Sequence, residues 1–164
     1  MTDPDREAER AITALIHTYC RAVDRIDAEL GKSIWNPDAT ADYGDIYQGP
    51  GIGVIDLICA QHRRATATSH RVSNILIELH GDTAASETYV SASVRLERSD
   101  GLQEIGVTGR YLDRWSRHGG RWGLDHRRFV LDFDEVRSVT PTGRRPDGSQ
   151  DREDPSYPFL AASD

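Results

Sequence analysis

Between Ser69 and Phe133 apolar and polar residues alternate with a period of two, and three turn signals divide the stretch: Gly81-Asp82, Ser99-Asp100-Gly101 and His118-Gly119-Gly120. Successive side chains of a strand point to opposite faces, so this alternation predicts strands over Ser69–Leu79, Ala84–Glu97, Ile105–Trp115 and Trp122–Phe133. Connections this short make the four strands an antiparallel meander. Upstream the period changes. From Asp5 to Ile26 the residues Ile12, Leu15, Ile16, Tyr19, Val23 and Ile26 recur at steps of three and four, which predicts an amphipathic helix. A shorter helical piece over Asp27–Ile34 is closed by Trp35-Asn36-Pro37-Asp38, because proline disfavours helical geometry at the residue before it. Ala39–Gln48 reads as a strand or hairpin arm. Gly49-Pro50-Gly51 breaks it and opens a third helix through Val54, Ile55, Leu57 and Ile58 to about Arg64. Helices followed by a run of long strands predict an α+β fold in which the helices cover one face of a curved sheet.

The chain has 164 residues, room for one domain, which the patterning places at residues 1–135. Residues 136–164 lose all periodicity and collect Pro141, Pro146, Pro155 and Pro158, the character of a polar tail. Within it Tyr157-Pro158-Phe159-Leu160 is apolar enough to dock on the body or on a neighbouring subunit. No window approaches the roughly 18 apolar residues of a spanning helix, and Met1 to Asp5 is acidic, unlike a secretion signal. A cytoplasmic location is expected. The net charge of -7 works against nucleic acid and anionic membrane as partners. Cys20 and Cys59 have neither metal-motif nor redox-motif spacing and read as core residues. No His/Asp/Glu cluster has metal-ligand spacing, and Gly49-Pro50-Gly51-Ile52-Gly53 lacks the Lys-Ser/Thr ending of a phosphate loop, so neither metal nor cofactor is expected.

A few residues could carry chemistry. Asp24 lies four residues after Cys20 and eight after Ile16, so it projects at the inner edge of the first helix. It is either an exposed carboxylate near a helix end or a general acid or base beside an apolar surface. His70 opens the first long strand, and period two sets it on one face with Val72, Asn74 and Leu76. A lone strand histidine is more often structural, but a facing carboxylate would make it a base. Tyr19 belongs to the apolar stripe and needs a partner for its hydroxyl. In the last strand Asp125, Arg127, Phe129 and Leu131 are expected on one face, and Leu124, His126, Arg128 and Val130 on the other. Either Arg127 or Arg128 must then turn inward, which requires a carboxylate or an anionic substrate group. Glu87, Tyr89, Ser91 and Ser93 share one face of the second long strand, opposite Val90, Ala92 and Val94.

Together these segments resemble the SnoaL-like branch of the nuclear-transport-factor-2-like superfamily over residues 5–135. The resemblance rests on Tyr19-Cys20-Arg21-Ala22-Val23-Asp24, Trp35-Asn36-Pro37-Asp38-Ala39, His70-Arg71-Val72-Ser73-Asn74, Gly109-Arg110-Tyr111-Leu112-Asp113-Arg114 and Gly120-Arg121-Trp122-Gly123-Leu124-Asp125. It implies a cone-shaped α+β domain, similar to scytalone dehydratase, bile-acid 7α-dehydratase and hexachlorocyclohexane dehydrochlorinase, that assembles as a homotrimer and eliminates without a cofactor. It further implies a catalytic pair of Asp24 and His70, with Tyr19 as hydroxyl donor and Arg127 or Arg128 at the leaving group. The dehydrochlorinase's helix-one lysine is replaced at Tyr19 or its neighbours, which favours dehydration over dehydrochlorination. The expectation is a lyase acting on an apolar alicyclic or polycyclic molecule such as a steroid or polyketide, with an isomerase, an aldol-type cyclase or a non-catalytic binding protein as alternatives.

Overall fold

The computed structural model describes residues 3–161; Met1 and Thr2 of the leading segment, and the last three residues of the tail, lie outside the described residues. In chain order the elements are α1 (Asp3–Asp24), α2 (Ala28–Lys32), β1 (Trp35–Asp42), β2 (Gln48–Pro50), α3 (Gly51–His62), β3 (Ala67–His80), β4 (Thr83–Arg98), β5 (Gly101–His118), β6 (Arg121–Ser138) and α4 (Ser156–Ala161). The strands form one six-stranded sheet in the order β2-β1-β6-β5-β4-β3. The meander from β3 to β6 is antiparallel, whereas β1 runs parallel to β6. α1 and α3 lie on one face of the sheet, which makes the fold the α+β cone expected.

The stripe on α1 explains why it sits there. Ile12, Ile16, Tyr19 and Val23 are all buried, against Val90, Tyr111, Trp115 and Leu124 of the sheet. Each such aliphatic side chain contributes roughly 1.5–3 kcal/mol by leaving water. At the other end of the cone the first turn of α3 rests on the Trp35 ring. A Cβ at Gly51 would stand 2.1 Å from a Trp35 ring carbon, so only glycine fits.

Several expectations change. The segment Trp35–Asp38 does not merely close α2; it begins β1, and its pairing with β6 is irregular between Trp35 and Thr40, where Pro37 lacks an amide hydrogen and Asp38 adopts φ +61°. In β3 two residues, Asn74 and Ile75, stand opposite the single residue Thr88 of β4. This bulge, with Asn74 at φ +48°, exposes Asn74 and turns Leu76 to the outer face. His70 and Val72 keep the inner face, but Asn74 and Leu76 do not share it. A second bulge falls at Asp125, between the pairs Trp115–Leu124 and Arg114–His126. Leu124 and Arg127 are therefore both buried on the inner side, contrary to simple alternation.

The segment after β6 folds back on the body. Tyr157 donates its hydroxyl to Asp27 Oδ2 at 2.9 Å, Gln150 donates to Thr68 Oγ1 at 3.0 Å, and the Arg21 guanidinium lies over the Tyr157 ring. Phe159 and Leu160 point outward. Asp154 holds the turn together: it accepts the Ser156 hydroxyl and the amides of Ser149 and Ser156, and faces Arg25. These bonds, the Ser156 hydroxyl first, pull its carboxyl down to about 2. With a folded value below the ordinary unfolded one of about 3.9, its contribution is complete above that value and is lost as pH falls toward about 2. The amide resonances of Ser149 and Ser156 should accordingly shift toward unfolded positions over that window. At pH 7 Asp154→Ala should speed trypsin cleavage after Arg152 by about an order of magnitude, since charge-assisted bonds are the strong ones. An unchanged cleavage rate would refute the clasp.

Candidate active site

Asp24 is the last residue of α1, and the backbone places it there by an unusual stop. Ile26 adopts φ +53°, the left-handed conformation that glycine usually supplies after a helix, while the Asp27 amide donates to the Ala22 carbonyl at 2.9 Å. For a branched residue this conformation costs roughly 1–2 kcal/mol. The carboxylate then meets β3. Its Oδ2 accepts the backbone amide of His70 at 2.8 Å and its Oδ1 meets the His70 Nδ1 at 2.7 Å. Both side chains are largely buried, with 15% and 10% of their surfaces exposed. A carboxylate can only accept, so Nδ1 carries the hydrogen, and in the neutral ring Nε2 presents its lone pair. His70 faces inward opposite Ala92, whose small side chain leaves room for the ring.

The structure also brings in a histidine that the sequence did not single out. The His62 ring lies 5.5 Å from that of His70, centroid to centroid, and its Nδ1 bonds the Val23 carbonyl at 2.9 Å. Nothing in the spacing pointed to it, because α3 and β3 meet only in the folded chain.

Tyr19 and Arg127 form a second cluster. Arg127, of which no surface is exposed, donates from Nε and Nη2 to the two oxygens of Asp113 at 2.8 and 2.7 Å. Burial opposes its charge, and Asp113 more than offsets this. The guanidinium is sandwiched between the rings of Tyr19 and Tyr111, 4.3 and 4.0 Å from their centroids. Its Nη1 is buried and meets no hydrogen-bond partner among the described residues, and the same holds for Oγ1 of Thr88 on β4. The Tyr19 hydroxyl shares a 2.8 Å bond with that of Tyr43, and burial holds its pKa well above the ordinary value. Tyr19 and Arg127 are thus brought together, Asp24 and His70 are brought together, and no hydrogen bond joins the two pairs among the described residues. Cys20 lies between them: burial first, then the opposing fields of Arg127 and Asp24, leave its thiol at about 11. Arg128 points outward, 4.0 Å from Asp42. The inward arginine is Arg127, and the carboxylate it required is Asp113, which sequence reasoning did not pair with it.

A cavity of about 560 Å³ opens on the outer face of the sheet, between Leu76, Glu87, Leu112 and Arg128, and its walls include neither Asp24 nor His70. On the inner side, a cavity of about 500 Å³ lies between the end of α3 and the ends of β4 and β5, lined by Gln61, His62, Arg64, Val94, Leu96 and Ile105. Its walls include His62 but neither Asp24 nor His70. Among the described residues no group of three or more His, Cys, Asp or Glu could hold a metal ion, and no helix is long and apolar enough to cross a membrane.

Fold and site together define a helix-covered α+β cone that carries a histidine–carboxylate pair on its inner face. The SnoaL-like domain model matches residues 4–128, and the chain belongs to that family. Among solved structures, the chain is similar to a candidate scytalone dehydratase from Novosphingobium aromaticivorans, with 22% identity and a TM-score of 0.73 over 89% of this chain and 100% of that one. It is similar to a hexachlorocyclohexane dehydrochlorinase of Novosphingobium barchaimii at 22% identity and a TM-score of 0.73, over 85% of this chain and 99% of that one. A third likeness is to the β subunit of a candidate aromatic-ring-hydroxylating dioxygenase from N. aromaticivorans, at 20% identity and a TM-score of 0.62, over 80% and 93% of the two chains. At these identities the likeness is one of fold. No curated protein matches the chain.

Proposed function

We propose that the protein is a lyase that performs a dehydratase-type elimination on an apolar alicyclic or polycyclic small molecule, with His70 as base and Asp24 as its orienting carboxylate. The observation that carries this reading is the double grip of Asp24, which holds both the ring and the backbone of His70 and leaves Nε2 bare. Nε2 would take a proton from a carbon next to a carbonyl, and Asp24 would stabilise the imidazolium that forms. The electron pair left behind forms the double bond as hydroxide departs, and the imidazolium returns its proton to that oxygen to give water. This chemistry needs only side chains of the chain itself.

Double-bond isomerisation or aldol-type cyclisation would use the same proton removal. A non-catalytic binding or scaffold role is the second reading, since a fold alone does not fix the chemistry. Proton exchange separates the catalytic readings from that one without knowledge of the leaving group. In D2O, cyclic ketones and β-hydroxy ketones that bind the protein should exchange their α-hydrogens at least ~100-fold faster than in buffer, as positioned bases achieve. His70→Ala should abolish the gain, read by proton NMR. Exchange that persists in His70→Ala, or bound ketones that never exchange, would overturn the proposal.

A further inference from the structure

His62 is used by nothing described so far, yet its setting is specific. Only 7% of its surface is exposed, and its ring packs on that of His70. A carbonyl oxygen can only accept, so the 2.9 Å bond to Val23 requires the hydrogen on Nδ1. Burial, reinforced by the nearby His70, lowers its pKa, so the ring is neutral near pH 7. Nε2 is left as a bare acceptor with no partner among the described residues. The cavity that His62 lines is walled on the sheet side by Val94, Leu96 and Ile105, and the rest of its lining is polar: Gln61, Arg64, Glu97 and Arg98. An apolar wall with a fixed acceptor beside it discriminates ligands by whether they bring a donor to that point.

We propose that this cavity is a ligand subsite in which His62 Nε2 accepts a hydrogen bond from a hydroxyl group on an otherwise apolar ring, an alcohol or a phenol. The acceptor is pre-set, because the Val23 carbonyl fixes the tautomer and α3 fixes the ring. A ligand without the donor would leave Nε2 buried and unpaired, which is the costly arrangement. The subsite deepens the lyase reading by naming the substrate as a hydroxylated ring compound, but it concerns binding and does not require proton transfer at His70.

The probes are 2-naphthol and 2-methoxynaphthalene, which share the apolar rings and differ in the donor. The ratio of their dissociation constants, measured by calorimetry, should favour naphthol by about tenfold in the native protein and fall to near one in His62→Phe, the loss of one well-made bond. Comparing ratios cancels the difference in solvation between the probes. If His62→Phe does not fold, the native protein still decides: naphthol, and not its methyl ether, should shift the His62 Nε2 resonance in a two-bond nitrogen–proton spectrum. Equal ratios in native and His62→Phe protein, or an unmoved Nε2 resonance, would overturn the subsite. A preference that disappears in His70→Ala and persists in His62→Phe would assign the acceptor to His70, which overturns this inference and leaves the lyase reading in place.

Discussion

Asp113→Ala should lower the unfolding free energy by roughly 3–5 kcal/mol, the largest single-site loss expected in the chain. Arg127 has no exposed surface, and its two charged bonds both end on Asp113. A guanidinium cannot shed its proton to escape burial, so removing the carboxylate leaves an uncompensated charge between two tyrosine rings. Domains of this size lose about 2–4 °C of melting temperature per kcal/mol, so the midpoint should fall by roughly 6–20 °C. Urea unfolding followed by tryptophan fluorescence measures it, since Trp115 lies on the same inner face of β5. The control is the joint replacement Asp113→Leu with Arg127→Met. Removing both charges together is expected to be neutral or stabilising by up to about 4 kcal/mol, because the desolvation penalty disappears with them. A loss below about 1 kcal/mol in Asp113→Ala would mean that other groups hold the arginine.

The fold was legible because its signals are periodic. Three- and four-residue steps in Asp3–Asp24 and two-residue steps through β3, β4, β5 and β6 are properties of whole segments, and the turns at Gly81, Gly101 and Gly119-Gly120 all adopt the positive φ that glycine favours. What escaped is local or non-local in a way that no period records. A bulge adds one residue, so at Asn74 and at Asp125 the alternation is interrupted without any change in composition, and the faces assigned beyond those points were misplaced for Leu76 and Leu124. The parallel pairing of β1 with β6 joins residues about 85 apart, and short segments such as Trp35–Asp42 carry no directional mark. At the site, Asp24 and His70 were singled out by a resemblance that spans both. Asp113 stood in one of the quoted motifs, Gly109 to Arg114, but its partner was left open because Arg127 and Arg128 differ only by a parity that the bulge at Asp125 resets. His62 gave no signal, since it reaches its neighbour only through the packing of helices on the sheet.

Asp24→Asn should leave the fold in place and reduce turnover of the true substrate by about 10³–10⁴-fold, comparable to the loss of the orienting carboxylate from a catalytic triad. The geometry explains why so small a change matters. Asp24 now accepts at both oxygens, from the ring at 2.7 Å and from the backbone amide at 2.8 Å. An asparagine has one accepting oxygen and one donating nitrogen. If its oxygen faces the amide, its nitrogen faces Nδ1 and requires a bare Nδ1, which moves the hydrogen to Nε2 and blinds the base. If its oxygen faces Nδ1, the tautomer survives but two donors confront each other at the backbone of β3, which costs roughly 1–3 kcal/mol. In either arrangement the negative charge that would balance the imidazolium is gone. Nitrogen-15 spectra of His70 distinguish the two: protonation at Nδ1 in the native protein, and at Nε2 in the variant where the first arrangement prevails. Full activity in Asp24→Asn would show that the carboxylate only braces the end of α1 against the start of β3, and His70 would then act without it or not at all. Loss of activity with the native tautomer retained would instead place the whole effect in the missing charge, the part of the grip that helps only once His70 has taken up a proton.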